Sequence, residues 1–146
     1  MKELPHRYTV KIEGVPDSIL SVYSEDLPKL QVAPPIEFDG PGDRWSPEEL
    51  LMASISSCFV LSFAAIARAS KLEWLGIECE TSGELDKLDR KIQFTKVSTK
   101  AVLTIPASQG RDNAERLLNK AEQNCLVSNS LACPSHLECE ILIADE

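Results

Sequence analysis

The first third of the chain alternates apolar and polar residues in short runs. Arg7 to Glu13 places Tyr8, Val10 and Ile12 on one face, and Ile19 to Tyr23 does the same with Leu20 and Val22. Leu30 to Ala33 is a third short extended piece, and Val15-Pro16-Asp17-Ser18 is a turn between the first two. These runs predict a small antiparallel meander. The alternation stops at Pro34-Pro35, and the stretch to Trp45, with Gly40-Pro41-Gly42, excludes regular structure.

From Ser46 the pattern changes in kind. Ser46 suits an N-cap, Pro47 the first helical position, and Glu49 the acidic place of a capping box. From Leu50 to Ala67 no side chain is charged, and apolar or small residues fall on every face. A helix ending near Ser70–Leu72 and buried all round is the expectation. Its length reaches the lower limit for a membrane span. The serines at 54, 56, 57 and 62, and the lack of aromatic belts at both ends, favour a buried central helix in a soluble protein.

Alternation then returns. Trp74 to Leu85 predicts a strand, Asp86 to Asp89 a hairpin turn, and Lys91 to Ile105 a long strand. Ile92 and Phe94 have one parity, whereas Val97, Thr99, Ala101, Leu103 and Ile105 have the other. A bulge near Thr95-Lys96 would restore a single apolar face. A helix starting at Gly110–Asp112 carries Ala114, Leu117, Leu118, Ala121 and Cys125 on its inner face. A short turn or helix covers Leu126–Leu131. The last strand, Ser135 to Ile143, turns Leu137, Cys139, Ile141 and Ile143 inward.

Composition narrows the function classes. One domain spanning 1–146 is expected at this length. The formal net charge of -8 leaves little to neutralise phosphates, which argues against nucleic acid as a partner. The N-terminus has no apolar stretch typical of a signal peptide, and the five cysteines are an odd number. Free thiols in the reducing cytoplasm are therefore expected. No metal or cofactor is expected. Cys133, His136 and Cys139 are ligand types at short spacing, but strand alternation separates His136 from Cys139, and a tetrahedral site needs four convergent ligands. No nucleophile elbow or phosphate-binding glycine loop is present. What remains is a pair of thiols in unlike settings, Cys58 in the apolar helix and Cys125 at the end of the amphipathic one. Small buried cysteines of no chemical role give the same pattern.

The start Pro47-Glu48-Glu49-Leu50-Leu51, an acid ten positions before a cysteine in a small-residue helix, and the later Cys125-Leu-Val-Ser-Asn-Ser-Leu resemble the OsmC/Ohr family, the osmotically inducible and organic hydroperoxide resistance proteins. The resemblance implies an α+β fold with antiparallel sheets packed around a central buried helix, in an intertwined homodimer with interfacial sites. It implies a thiol peroxidase acting on organic hydroperoxides, with Cys58 as the peroxidatic cysteine and Cys125 as the resolving one. Glu48 matches the acid that holds an active-site arginine, and an external dithiol is the implied reductant. Ten helical residues separate Glu48 from Cys58 by about 15 Å along the axis, so Glu48 would serve a Cys58 site only from another subunit.

The sequence departs from the family in one place. The turn that carries the family's arginine is here Gly14-Val15-Pro16-Asp17. An ordinary thiol is only a few per cent ionised at neutral pH, so a cation near Cys58 is expected. Arg44, before the helix, is the best substitute and is placed to pair with Glu48; Arg7 and Arg68 are poorer ones. Phe59, Phe63, Leu51 and Trp45 are expected to line an apolar site that favours alkyl peroxides. The missing arginine keeps a second reading open, a family member that binds a small ligand or senses redox state.

Overall fold

The computed structural model describes residues 1–145, which form two compact units, one from Met1 to Leu51 and one from Met52 onward. The first unit holds β1 (Lys11–Glu13), β2 (Leu20–Tyr23) and β3 (Leu30–Val32) in an antiparallel sheet of order β1-β2-β3, the expected meander. β1 is shorter than the alternation suggests. Lys11 pairs with Tyr23, where β2 ends, so Arg7 to Val10 have no strand to bond. Alternation supplies a face, but a strand also needs a partner for its amides. A single 3-10 turn (Ile36–Phe38) interrupts the proline-rich stretch.

Helix α1 (Pro47–Ala69) begins at the expected N-cap: Ser46 Oγ accepts the Glu49 N–H at 3.1 Å and donates to Glu49 Oε1 at 2.9 Å. It ends in a Schellman motif. Lys71 takes a left-handed φ of 57°, Leu72 N–H donates to Ala67 O at 2.9 Å, and Lys71 N–H to Arg68 O at 3.2 Å. The helix is long and apolar enough to cross a membrane by length and composition. Ile55, Phe59, Phe63 and Ala67, four residues apart, are wholly buried, the last three of them in the second unit's core. The opposite stripe, Ser57, Leu61 and Ala65, is exposed, with Leu61 at 70%. Within one chain the helix is therefore covered on one face only, not all round.

The second sheet has order β4-β5-β6, from β4 (Gly76–Leu88), β5 (Lys91–Ile105) and β6 (Ser135–Ile143). The hairpin turn is Asp89-Arg90, both with positive φ, so β4 runs three residues further than expected. The two left-handed residues give the turn the twist that an antiparallel hairpin requires. The predicted bulge is present: Glu84 pairs with Lys96 and Leu85 with Phe94, leaving Thr95 unopposed. Beyond it, Val97, Thr99, Ala101, Leu103 and Ile105 all face the core and are buried. β6 pairs with β5 in parallel. This follows from the connection, because the chain crosses back through helix α2 (Arg111–Gln123) and helix α3 (Leu126–Asn129) before re-entering the sheet. Ala114, Leu117, Leu118 and Ala121 of α2 complete the core as the spacing predicts.

Candidate active site

The structure brings Cys58 and Cys125 together. Cys58 lies on α1, half-buried, one residue before the core position Phe59. Cys125 is wholly buried at the junction between α2 and α3. Asn124 closes α2, and Cys125 takes an extended conformation (φ -71°, ψ 108°) that starts α3. The chain thereby turns back on itself, and the first amides of α3 are directed toward the α1 thiol. Burial pushes the Cys58 thiol up, but the Val127 amide, the Cys125 thiol, the Leu126 amide and the Ser62 hydroxyl each favour its thiolate, and together they leave it below the ordinary value. Cys125 moves the other way. Burial pushes it up, and the neighbouring Cys58 adds to the rise, against opposing hydrogen bonds from the Ser128 hydroxyl and amide. Ser128 Oγ donates to Cys125 Sγ at 3.2 Å, and that sulfur lies 3.9 Å from the Ile55 carbonyl.

The pair is thus asymmetric: an accessible thiol biased to thiolate beside a buried thiol biased to stay protonated. Such a pair suits a two-step oxidation, in which the first sulfur is attacked from outside and the second condenses with it. The donors that favour the Cys58 thiolate are all neutral. Within one chain, the groups that favour this thiolate include two backbone amides of α3.

The N-terminal unit places the other candidates differently from the sequence expectation. Arg44 pairs with Asp43 at 3.0 Å and donates from Nε to Gln31 Oε1 at 3.0 Å. Among the described residues it makes no ion pair with Glu48, whose Oε2 is buried without a partner. The two line separate clefts. Arg44 lies with Lys29, Trp45 and Glu49 around an open cleft of about 660 Å³. Glu48 lies with Leu20, Val32, Pro35 and Phe38 in an apolar one of about 300 Å³. Phe59 and Phe63 do not line a site at all. Both are wholly buried in the core, and Phe63 stacks edge-on against Trp74 at 5.6 Å. They sit on the α1 face that the sheet covers, a face the uniform apolar pattern could not single out.

The remaining cysteines have no such setting. Cys79 and Cys139 flank Ala101 in one cross-strand row. Burial raises both, and burial with Glu115 and Glu122 nearby pushes Cys139 up to about 11. Among the described residues no cluster of His, Cys, Asp or Glu is arranged to hold a metal. Sequence reading missed Ser62, Ser128 and the α3 amides. The available signal was Cys125 followed three positions later by Ser128, the spacing of a helix start.

The OsmC-like protein family model matches residues 40–140, which include both cysteines, Arg44 and Glu48. The chain is 26% identical over 109 residues to the uncharacterized protein YmaD of Bacillus subtilis, covering 73% of each. Its fold is similar to that of an OsmC-like protein of unknown function from Vibrio cholerae, at a TM-score of 0.85 and 18% identity, covering 92% of this chain and 99% of that one. It is also similar to an organic hydroperoxide resistance protein from Elizabethkingia anophelis, at a TM-score of 0.76 and 20% identity, covering 99% and 100%. With a family match over most of its length, and with the α+β fold of those structures, the chain belongs to the OsmC-like protein family.

Proposed function

We propose that the protein is a cysteine-based peroxidase that reduces organic hydroperoxides in the cytoplasm, working as a single domain of 1–146 in a homodimer. The observation that carries this reading is two thiols side by side in unlike settings, Cys58 half-buried on α1 and Cys125 wholly buried with the Ser128 hydroxyl on its sulfur at 3.2 Å. The similarity to a protein named for organic hydroperoxide resistance supports the choice of substrate class.

Cys58 thiolate attacks the terminal peroxide oxygen, the O–O bond breaks, and the alkoxide leaves with a proton as the alcohol. Cys58 is then a sulfenic acid. The Cys125 sulfur displaces hydroxide from it, which leaves as water once protonated, and a Cys58–Cys125 disulfide forms. An external dithiol returns both sulfurs to the reduced state. In the homodimer, Glu48 and Arg44 serve the partner copy's site by positioning and charge. The exposed Leu61 stripe of α1 supports a second copy as the cover for that helix face.

The test is intact-mass and peptide analysis after adding an organic hydroperoxide to the reduced protein, with Cys58→Ser as control. A stoichiometric Cys58–Cys125 disulfide formed within seconds is expected, absent from the control. Slow oxidation scattered over all five cysteines overturns the reading. The unpartnered Glu48 Oε2, in its apolar cleft, favours the second reading, a protein that binds a small ligand with a hydrogen-bond donor. Retention of such a ligand through purification, with no hydroperoxide turnover, would establish that one instead.

A further inference from the structure

Two differences between the paired sulfurs bear on how the pair is returned to its reduced form. Cys58 is half-buried, whereas Cys125 is wholly buried. And Cys125, not Cys58, has the Ser128 hydroxyl on it, at 3.2 Å. Ser128 is itself 8% exposed and sits in the first turn of α3, so its hydroxyl is held by the same short helix that positions Cys125.

We propose that Ser128 is a positioning residue for Cys125. Its Oγ–H holds the sulfur charge that develops when an external dithiol attacks the Cys58 side of the Cys58–Cys125 disulfide. The inference rests on the proposed function only for the redox activity of the pair. The attacking thiolate reaches Cys58, because Cys125 offers no surface. A bond forms from the reductant sulfur to Cys58 Sγ, and the Cys58–Cys125 bond breaks. Its electron pair leaves on Cys125 Sγ, which receives the Ser128 hydrogen bond and then a proton. The second thiol of the reductant displaces Cys58, giving the oxidised cyclic reductant and two protein thiols. Two electrons and two protons pass from the dithiol to the pair. A better-stabilised thiolate is a better leaving group, so the hydroxyl accelerates this step. In the forward direction the same bond favours the ionised Cys125 that closes the disulfide.

The experiment needs no peroxide. The disulfide is formed with a diazene oxidant, then reduced with dithiothreitol and quenched at intervals for intact mass. Ser128→Ala removes one oxygen and leaves no orphaned donor. It is expected to slow reduction about three- to tenfold, the range for losing a hydrogen bond to a charge that is partly developed. Ser128→Thr, which keeps the hydroxyl, is expected to restore the rate. With a monothiol as reductant, the trapped mixed disulfide is expected on Cys58. An unchanged rate in Ser128→Ala, a Ser128→Thr rate as slow as Ser128→Ala, or an adduct on Cys125 overturns the proposal. Failure of the peroxidase reading is seen separately, as a disulfide that forms with the diazene but not with hydroperoxide. If no disulfide forms with either oxidant, both fall.

Discussion

The two α3 amides beside Cys58 lead to a prediction about Leu126. Its N–H is one of the two backbone donors that favour the Cys58 thiolate. Leu126→Pro deletes that donor and little else. The side chain is 75% exposed, so packing loss is small. Leu126 is the first residue of α3, where proline is well tolerated, and Cys125 before it is already extended. A hydrogen bond to a charged group contributes about 1.5–3 kcal/mol. Cys58 is only half-buried and solvent screens the interaction, so the low end applies. That amounts to about tenfold less thiolate at neutral pH. The remaining thiolate is more basic and about threefold more nucleophilic, at a Brønsted coefficient of about 0.5. Net alkylation of Cys58 should therefore slow about threefold at neutral pH. The rising limb of its pH profile should move to higher pH, and the plateau should rise. Peptide-resolved alkylation with iodoacetamide across a pH series measures all three. A profile superimposable on that of the unaltered protein refutes the role of the α3 amides, and Arg44 becomes the donor to test.

Cys125→Ser should leave Cys58 able to react with an organic hydroperoxide but unable to close the disulfide, so a Cys58 sulfenic acid should accumulate and be captured by a dimedone probe. Cys139, raised to about 11 by burial and then by Glu115 and Glu122, should remain a protonated thiol through neutral pH and be alkylated far more slowly than Cys58. Phe63→Ala removes a wholly buried ring and its edge-on contact with Trp74, and should cost about 3–5 kcal/mol in denaturant unfolding. Leu61→Lys places a charge on the exposed apolar stripe of α1 and should shift the light-scattering mass from dimer to monomer; a mass that stays dimeric removes that stripe from the interface.

Local chemistry was legible in the sequence wherever a residue type had one physical use. Ser46, Pro47 and Glu49 start a helix because a side-chain cap satisfies a first-turn amide, and Ser46 Oγ takes the Glu49 N–H in the structure. The parity change across Thr95 demanded a bulge, because one face of β5 had to remain apolar, and Thr95 is the unopposed residue. The pairing of two unlike thiols was foreseen only through the family resemblance. Tertiary structure decided the rest. The uniform apolar surface of α1 carries no mark of which face meets the sheet, so Phe59 and Phe63 became core rather than site. Arg7 to Val10 alternate like a strand, yet β2 is too short to pair with them. Two of the four thiolate-favouring groups around Cys58 are amides of α3, more than sixty residues away. Every residue but proline carries an amide hydrogen, so its position in a fold, not its identity, gives it chemistry.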